Sequence, residues 1–145
     1  MTSAADPHDL QRFTDAQDGV FDQALGELRA GSKQSHWMWF VFPQIAGLGD
    51  SAMSRRYAIR SLDEARAYLD HPLLGPRLKL ATETMLGWAG KRHCEAILGP
   101  VDSLKLRSSL TLFAEAAPND PLFGGALIAL FDSPDAKTLR LLGRA

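Results

Sequence analysis

The sequence predicts a single all-α domain of about seven to eight helices, some of them short. Three observations support this. Apolar residues recur at three- and four-residue spacing along most of the chain, Gly and Pro punctuate those stretches, and no segment, except weakly Trp37 to Phe42, shows the alternation of a half-exposed strand. At 145 residues, with 46% hydrophobic and 23% charged side chains, the chain fits one domain able to bury a core.

The elements follow in order. Residues 1–8 read as a flexible lead-in, and residues 9–145 as the domain. Asp9 to Phe13 suits one turn. Thr14 reads as an N-cap for a helix carrying Phe21, Ala24, Leu25 and Leu28, which Gly31 stops. Trp37 to Phe42 suits either a short helix or a buried strand, and Pro43 ends it. A turn-rich loop, residues 46–51, leads to Ser51, a cap for a short helix reaching Ile59. Ser61 to Glu64 form a capping box ahead of Ala65, Tyr68 and Leu69. His71-Pro72 then starts a helix to Ala89 whose stripe is Leu74, Leu78, Ala81, Met85 and Trp88. Shorter helices are expected over residues 93–98 and 134–142, and a longer one over 101–116. The stretch from Pro121 to Phe131 is apolar nearly all round and predicts a central, buried helix.

Composition narrows the function classes. A net charge of −1 offers no global field for nucleic acid or acidic membranes. One cysteine, Cys94, excludes an internal disulfide and the usual cysteine zinc sites. Residues 1–9 lack a signal-peptide pattern, and no apolar run approaches the ~20 residues of a membrane span. A soluble cytoplasmic protein of bacterial type is expected, with no cofactor, no metal, no nucleic-acid partner and an open oligomeric state. Gly-x-Ser-x-Gly and His-Glu-x-x-His are absent.

The chemistry gathers in two places. The first is the run His36-Trp-Met-Trp-Phe-Val-Phe42 with its edges: Lys33, Ser35 and His36 before it, Gln44, Ser51, Arg55 and Arg56 after it. Trp37 or Trp39 offers a flat face to a planar ring, and Lys33 and Arg55 suit phosphate. The glycines of Gly47-Leu48-Gly49 let backbone N–H groups approach an anion. An all-apolar run of this kind is most often core, and most of its six apolar residues are read so. The second place is Asp102, Lys105 and Ser109, which lie within about 60° on a helix given its ~100° step, beside Leu106, Leu110 and Phe113. Asp102 and Lys105 are spaced to pair; Asp102 also suits the first turn of its helix without any further role.

The segments Lys33 to Gln44, Gly47 to Gly49 with Ser51, Tyr57 to Ile59, His71 to Gly75, Asp102 to Lys105 and Ser108 to Phe113 make the chain similar to the bacterial domain-of-unknown-function family 1810. The resemblance covers roughly Leu10 to Arg140. It implies membership of a mycobacterial Rv-type superfamily and one compact all-α domain, without an established activity. The calpastatin label sometimes attached to such proteins does not suit this chain, because such an inhibitor is disordered and this composition is not.

Two functions are therefore expected in competition. One is a small-molecule site for a nucleotide or an ADP-ribose-like compound, with or without glycosidic hydrolysis. Its ligand-binding residues would be Lys33, His36, Trp37, Trp39, Gln44, Ser51, Arg55, Lys105 and Ser109, and His36 or Asp102 would be the acid or base. The other is a non-catalytic interaction module anchored on the aromatic run.

Overall fold

The computed structural model describes residues 6–144. Ten helices occupy them: α1 (Gln11–Gln17), α2 (Phe21–Ala30), α3 (Met38–Val41), α4 (Ala52–Arg56), α5 (Leu62–Asp70), α6 (Leu74–Leu86), α7 (Cys94–Leu98), α8 (Pro100–Ala116), α9 (Pro121–Phe131) and α10 (Ala136–Leu141). The count exceeds the expected seven to eight because α3, α4, α7 and α10 are each a turn or so long. The N-terminal stretch is also divided: Gly19, at φ 71, takes the left-handed conformation that separates α1 from α2.

That division corrects the reading of Thr14 as an N-cap. Thr14 lies inside α1, where its hydroxyl donates to the Gln11 carbonyl at 3.0 Å. Asp6 serves the start of α1 instead, its carboxylate accepting from the Leu10 and Gln11 amides at 2.7 and 3.0 Å. Of the lead-in, residues 1–5 lie outside the described residues, whereas Asp6 is tied to the helix.

Other boundaries follow their sequence signals. Gly31 closes α2 at φ 70, and the Ser61 hydroxyl accepts from the Glu64 amide at the start of α5. The helix expected from Pro72 begins only at Leu74, because the His71 Nδ1 accepts from the Leu73 and Leu74 amides and acts as the cap. It ends at Leu86, and Trp88 leaves the helix to donate its indole N–H to the Leu28 carbonyl at 2.9 Å.

One cluster of buried side chains joins these helices. Its centre is α8, which packs against α5, α7, α9 and α10. The expectation that Pro121–Phe131 is the central helix is therefore corrected. α9 lies at the periphery, turning Phe123, Ala126 and Leu127 inward while Ile128 is 69% exposed. Its exposed residues are Pro121, Gly125, Ile128 and Ala129, so apolar composition all round reflects mostly small residues outside, Ile128 excepted, as much as large ones inside.

Between α3 and α5 the chain makes an excursion that returns on itself. The Gln44 carbonyl accepts from the Ile59 amide, and the Ile59 carbonyl accepts from the Ala46 amide, both at 2.8 Å. This isolated parallel bridge between Ile45 and Ile59 pins the two ends of a loop that carries α4. The loop forms one wall of the site; α8 and α10 supply the other.

Candidate functional site

The aromatic run is positioned by a carboxylate that periodicity places on the polar side of α2. Glu27 accepts from the Gln34 amide, the Ser35 amide, the Ser35 hydroxyl and the Trp37 indole N–H at 2.8, 3.0, 2.6 and 2.9 Å. Burial pushes its pKa up, but these donors outweigh burial and lower it from 4.5 to about 2. Trp37 is thereby drawn fully into the core, and Met38, Phe40, Val41 and Phe42 are buried with it. Only Trp39 reaches a boundary, half-buried on the outer side of the single turn α3. The run thus supplies core on five of its six apolar positions and presents no exposed aromatic patch for a partner.

The return strand of the loop is clamped from the other side. Arg12, 8% exposed, donates to the carbonyls of Arg56 and Ala58 at 2.8 Å each, and to those of His8 and Asp9. Its remaining contact is the Glu64 carboxylate at 2.7 Å, in an ion pair almost wholly out of water. Every donor of this guanidinium is therefore aimed at a partner, as burial of a charge requires.

Two of the sequence constellations meet at α8. Asp102 accepts from Lys33 Nζ on one oxygen at 2.9 Å and from Lys105 Nζ on the other at 3.0 Å. Burial acts to raise the Asp102 pKa, and the two ammonium groups override it, holding the carboxyl below the usual carboxylate range. Each lysine also lies over a tryptophan: Lys33 Nζ is 5.2 Å from the Trp37 ring centroid, and Lys105 Nζ is 3.8 Å from that of Trp39. The arrangement joins the loop after α2, the turn α3 and the first turns of α8.

Beside it opens a cavity of about 360 Å³, bounded by Trp39, the excursion loop, α8 and the start of α10. Its cations are Arg55, Arg60, Lys105 and Lys137, and its carboxylate is Asp135. One Asp135 oxygen is occupied, accepting from the amide and hydroxyl of Thr138 at the start of α10. Apolar surface comes from Ile45, Ala46, Leu48, Val101 and Leu104, and an amide from Gln44. Among the described residues, Arg55, Arg60 and Lys137 take part in no ion pair.

Of the residues singled out from sequence, Trp39, Gln44, Arg55 and Lys105 border this cavity. Lys33, Trp37 and Asp102 stand behind it in the ionic bridge. His36 is exposed, outside the cavity lining. Ser51 is spent as the cap of α4, its hydroxyl accepting from the Ser54 amide at 3.0 Å. Ser109 is 1% exposed with a hydroxyl that has no hydrogen-bond partner, and its neighbour Ser108 borders the cavity instead. The sequence did not single out Arg60, Asp135 and Lys137, which come from the excursion loop and from the start of α10, distant in the chain. The cap signal Asp135-Ala-Lys-Thr138 was readable, but its nearness to the excursion loop was not. Among the described residues no group of three or more His, Cys, Asp and Glu is placed to hold a metal ion. Cys94 is buried, and burial pushes its thiol up to about 11.

Comparison with known proteins places this geometry in a family. The family described as "Protein of unknown function (DUF1810)" matches residues 7–142. No curated protein matches. The chain is similar to a solved structure, the conserved hypothetical protein Rv1873 from Mycobacterium tuberculosis, with 49% sequence identity and a TM-score of 0.91; the match covers 95% of this chain and 99% of that one. No helix among the described residues is long and apolar enough to cross a membrane.

Proposed function

The chain belongs to the DUF1810 family of proteins of unknown function, and from that premise we propose that its cavity binds a small organic anion, a phosphate-bearing compound such as a nucleotide or an ADP-ribose-like molecule. The observation that carries this reading is the concentration of charge. Four cationic side chains and a single carboxylate line the cavity, in a chain whose net charge is −1. Three of those cations have no ionic partner among the described residues. The fourth, Lys105, is held against Trp39 by Asp102, whose second oxygen is already neutralised by Lys33. The ammonium is thus presented in one place without being cancelled, which lowers the ordering cost of gripping an anion.

Binding, with no chemical step, is the reading supported. The acid or base expected from His36 or Asp102 has no footing at this cavity, since neither residue lines it. Asp102 is also held ionised by two lysines and is a poor proton donor.

The test is isothermal titration of the wild type and of an Arg55→Gln/Arg60→Gln variant with inorganic phosphate, AMP and ADP-ribose. At least one of the three binds the wild type, and the variant binds it about tenfold more weakly. Silence from all three compounds, or equal affinity in the variant, overturns the reading.

A further inference from the structure

The lining of the cavity says more about the ligand than its charge does. Val101 and Leu104 are 65% and 62% exposed. They stand three residues apart on α8, on one face of the helix, and both border the cavity together with Leu48 and Ala46. Single exposed aliphatic residues are ordinary; a pair directed to the same concave surface is a contact surface awaiting an apolar body. The two serine hydroxyls that border the cavity are already used. Ser54 Oγ donates to the Ser51 carbonyl at 2.9 Å, and Ser108 Oγ donates to the Leu104 carbonyl at 3.1 Å. A body rich in hydroxyl groups, such as a ribose, would meet few free side-chain partners on the α8 side, where Val101, Leu104 and Ser108 stand. The flat face expected of Trp39 is also occupied, because the Lys105 ammonium stands 3.8 Å from the ring centroid. At that point the wall changes from apolar to cationic between the adjacent residues Leu104 and Lys105.

Resting on the anion-binding reading above, we infer that the ligand is a small amphiphile: an acidic head, phosphate or carboxylate, on an aromatic or aliphatic body, the head on the Lys105 side and the body against Val101, Leu104 and Leu48. This keeps the small organic anion of that reading but narrows it to one with an apolar body, which the nucleotide and ADP-ribose-like examples lack.

The experiment holds the head constant and varies the body. Phenyl phosphate, AMP and inorganic phosphate are titrated into the wild type and into Val101→Ser/Leu104→Ser. Both positions are exposed, and an unchanged unfolding midpoint shows that the variant is folded. Phenyl phosphate is expected to bind about tenfold more tightly than either other compound, and the variant is expected to lose that margin while keeping its affinity for inorganic phosphate. The inference is overturned if AMP binds as tightly as phenyl phosphate, or if the variant retains the margin. If AMP binds and phenyl phosphate does not, only the amphiphile fails. If no compound binds, the anion-binding reading fails as well.

Discussion

At the scale of single residues, two polar groups are expected to behave in opposite ways. Glu27 collects the amides of Gln34 and Ser35, the Ser35 hydroxyl and the Trp37 indole N–H on one carboxylate. Glu27→Gln keeps the shape but replaces charged acceptors by a neutral amide, so it should cost about 1.5–3 kcal/mol of unfolding free energy at neutral pH. The pH dependence has a definite sign. The folded-state pKa is lowered, so the contribution is fully present above the ordinary 4.5 and is lost as pH falls from there toward about 2. Urea midpoints of wild type and variant should therefore converge over that window; a constant gap down to pH 2 would contradict the role given to the charge. Ser109 stands at the other extreme. Its hydroxyl is buried without a partner, so desolvation is not offset and Ser109→Ala should be neutral or stabilising by about 1 kcal/mol. A loss of more than that in the same urea titration would mean that the hydroxyl has a partner after all.

At the scale of elements, the site depends on how α1, the excursion loop and α5 are held together. Arg12 binds the carbonyls of Arg56 and Ala58 and the carboxylate of Glu64. Arg12→Ala leaves the buried Glu64 uncompensated and removes a donor from the carbonyls of His8, Asp9, Arg56 and Ala58, an expected loss of about 3–5 kcal/mol. Arg12→Met/Glu64→Leu removes both charges and should recover part of that loss, but only part, because the carbonyls still lack that donor. Full recovery in denaturant titrations would show that the carbonyl bonds contribute nothing. The corner between α5 and α6 is equally strict. A Cβ at Gly75 would collide with the backbone carbonyl oxygen of Leu69. Gly75→Ala gains helix propensity yet should destabilise by about 1–3 kcal/mol through this overlap, and a raised melting temperature would refute it. Neither feature was visible in the sequence. Arg12 looks like a solvated residue on a short helix, and Gly75 looks like a weak spot in an otherwise good one. The local signals that were legible depend only on neighbours: Gly31 closing α2, Ser61 capping α5 and the stripe Leu74, Leu78, Ala81 and Met85.

Across the whole molecule, helical class was legible because spacing and punctuation are local properties, while the placing of helices was not. α9 is more apolar than α8 and yet lies outside it, since burial is decided by what each face meets. The site divided in the same way. Asp102–Lys105 is a spacing of three and could be read; Lys33 joining them, and Arg60 and Lys137 converging on one cavity, required the excursion loop and α10 to meet at α8. This convergence sets the last prediction. The net charge of −1 gives the protein no general attraction for anions, so any affinity must come from cations within about one Debye length, ~8 Å at physiological salt. Arg60→Gln should therefore weaken binding of a phosphate-bearing ligand several-fold, whereas Arg29→Gln and Lys91→Gln, exposed residues outside the cavity lining, should leave it within experimental error although each removes the same unit of charge. Titrations at two salt concentrations distinguish the two cases. If all three variants weaken binding equally and the differences vanish together in high salt, the anion is held by the overall field of the protein and not by this cavity.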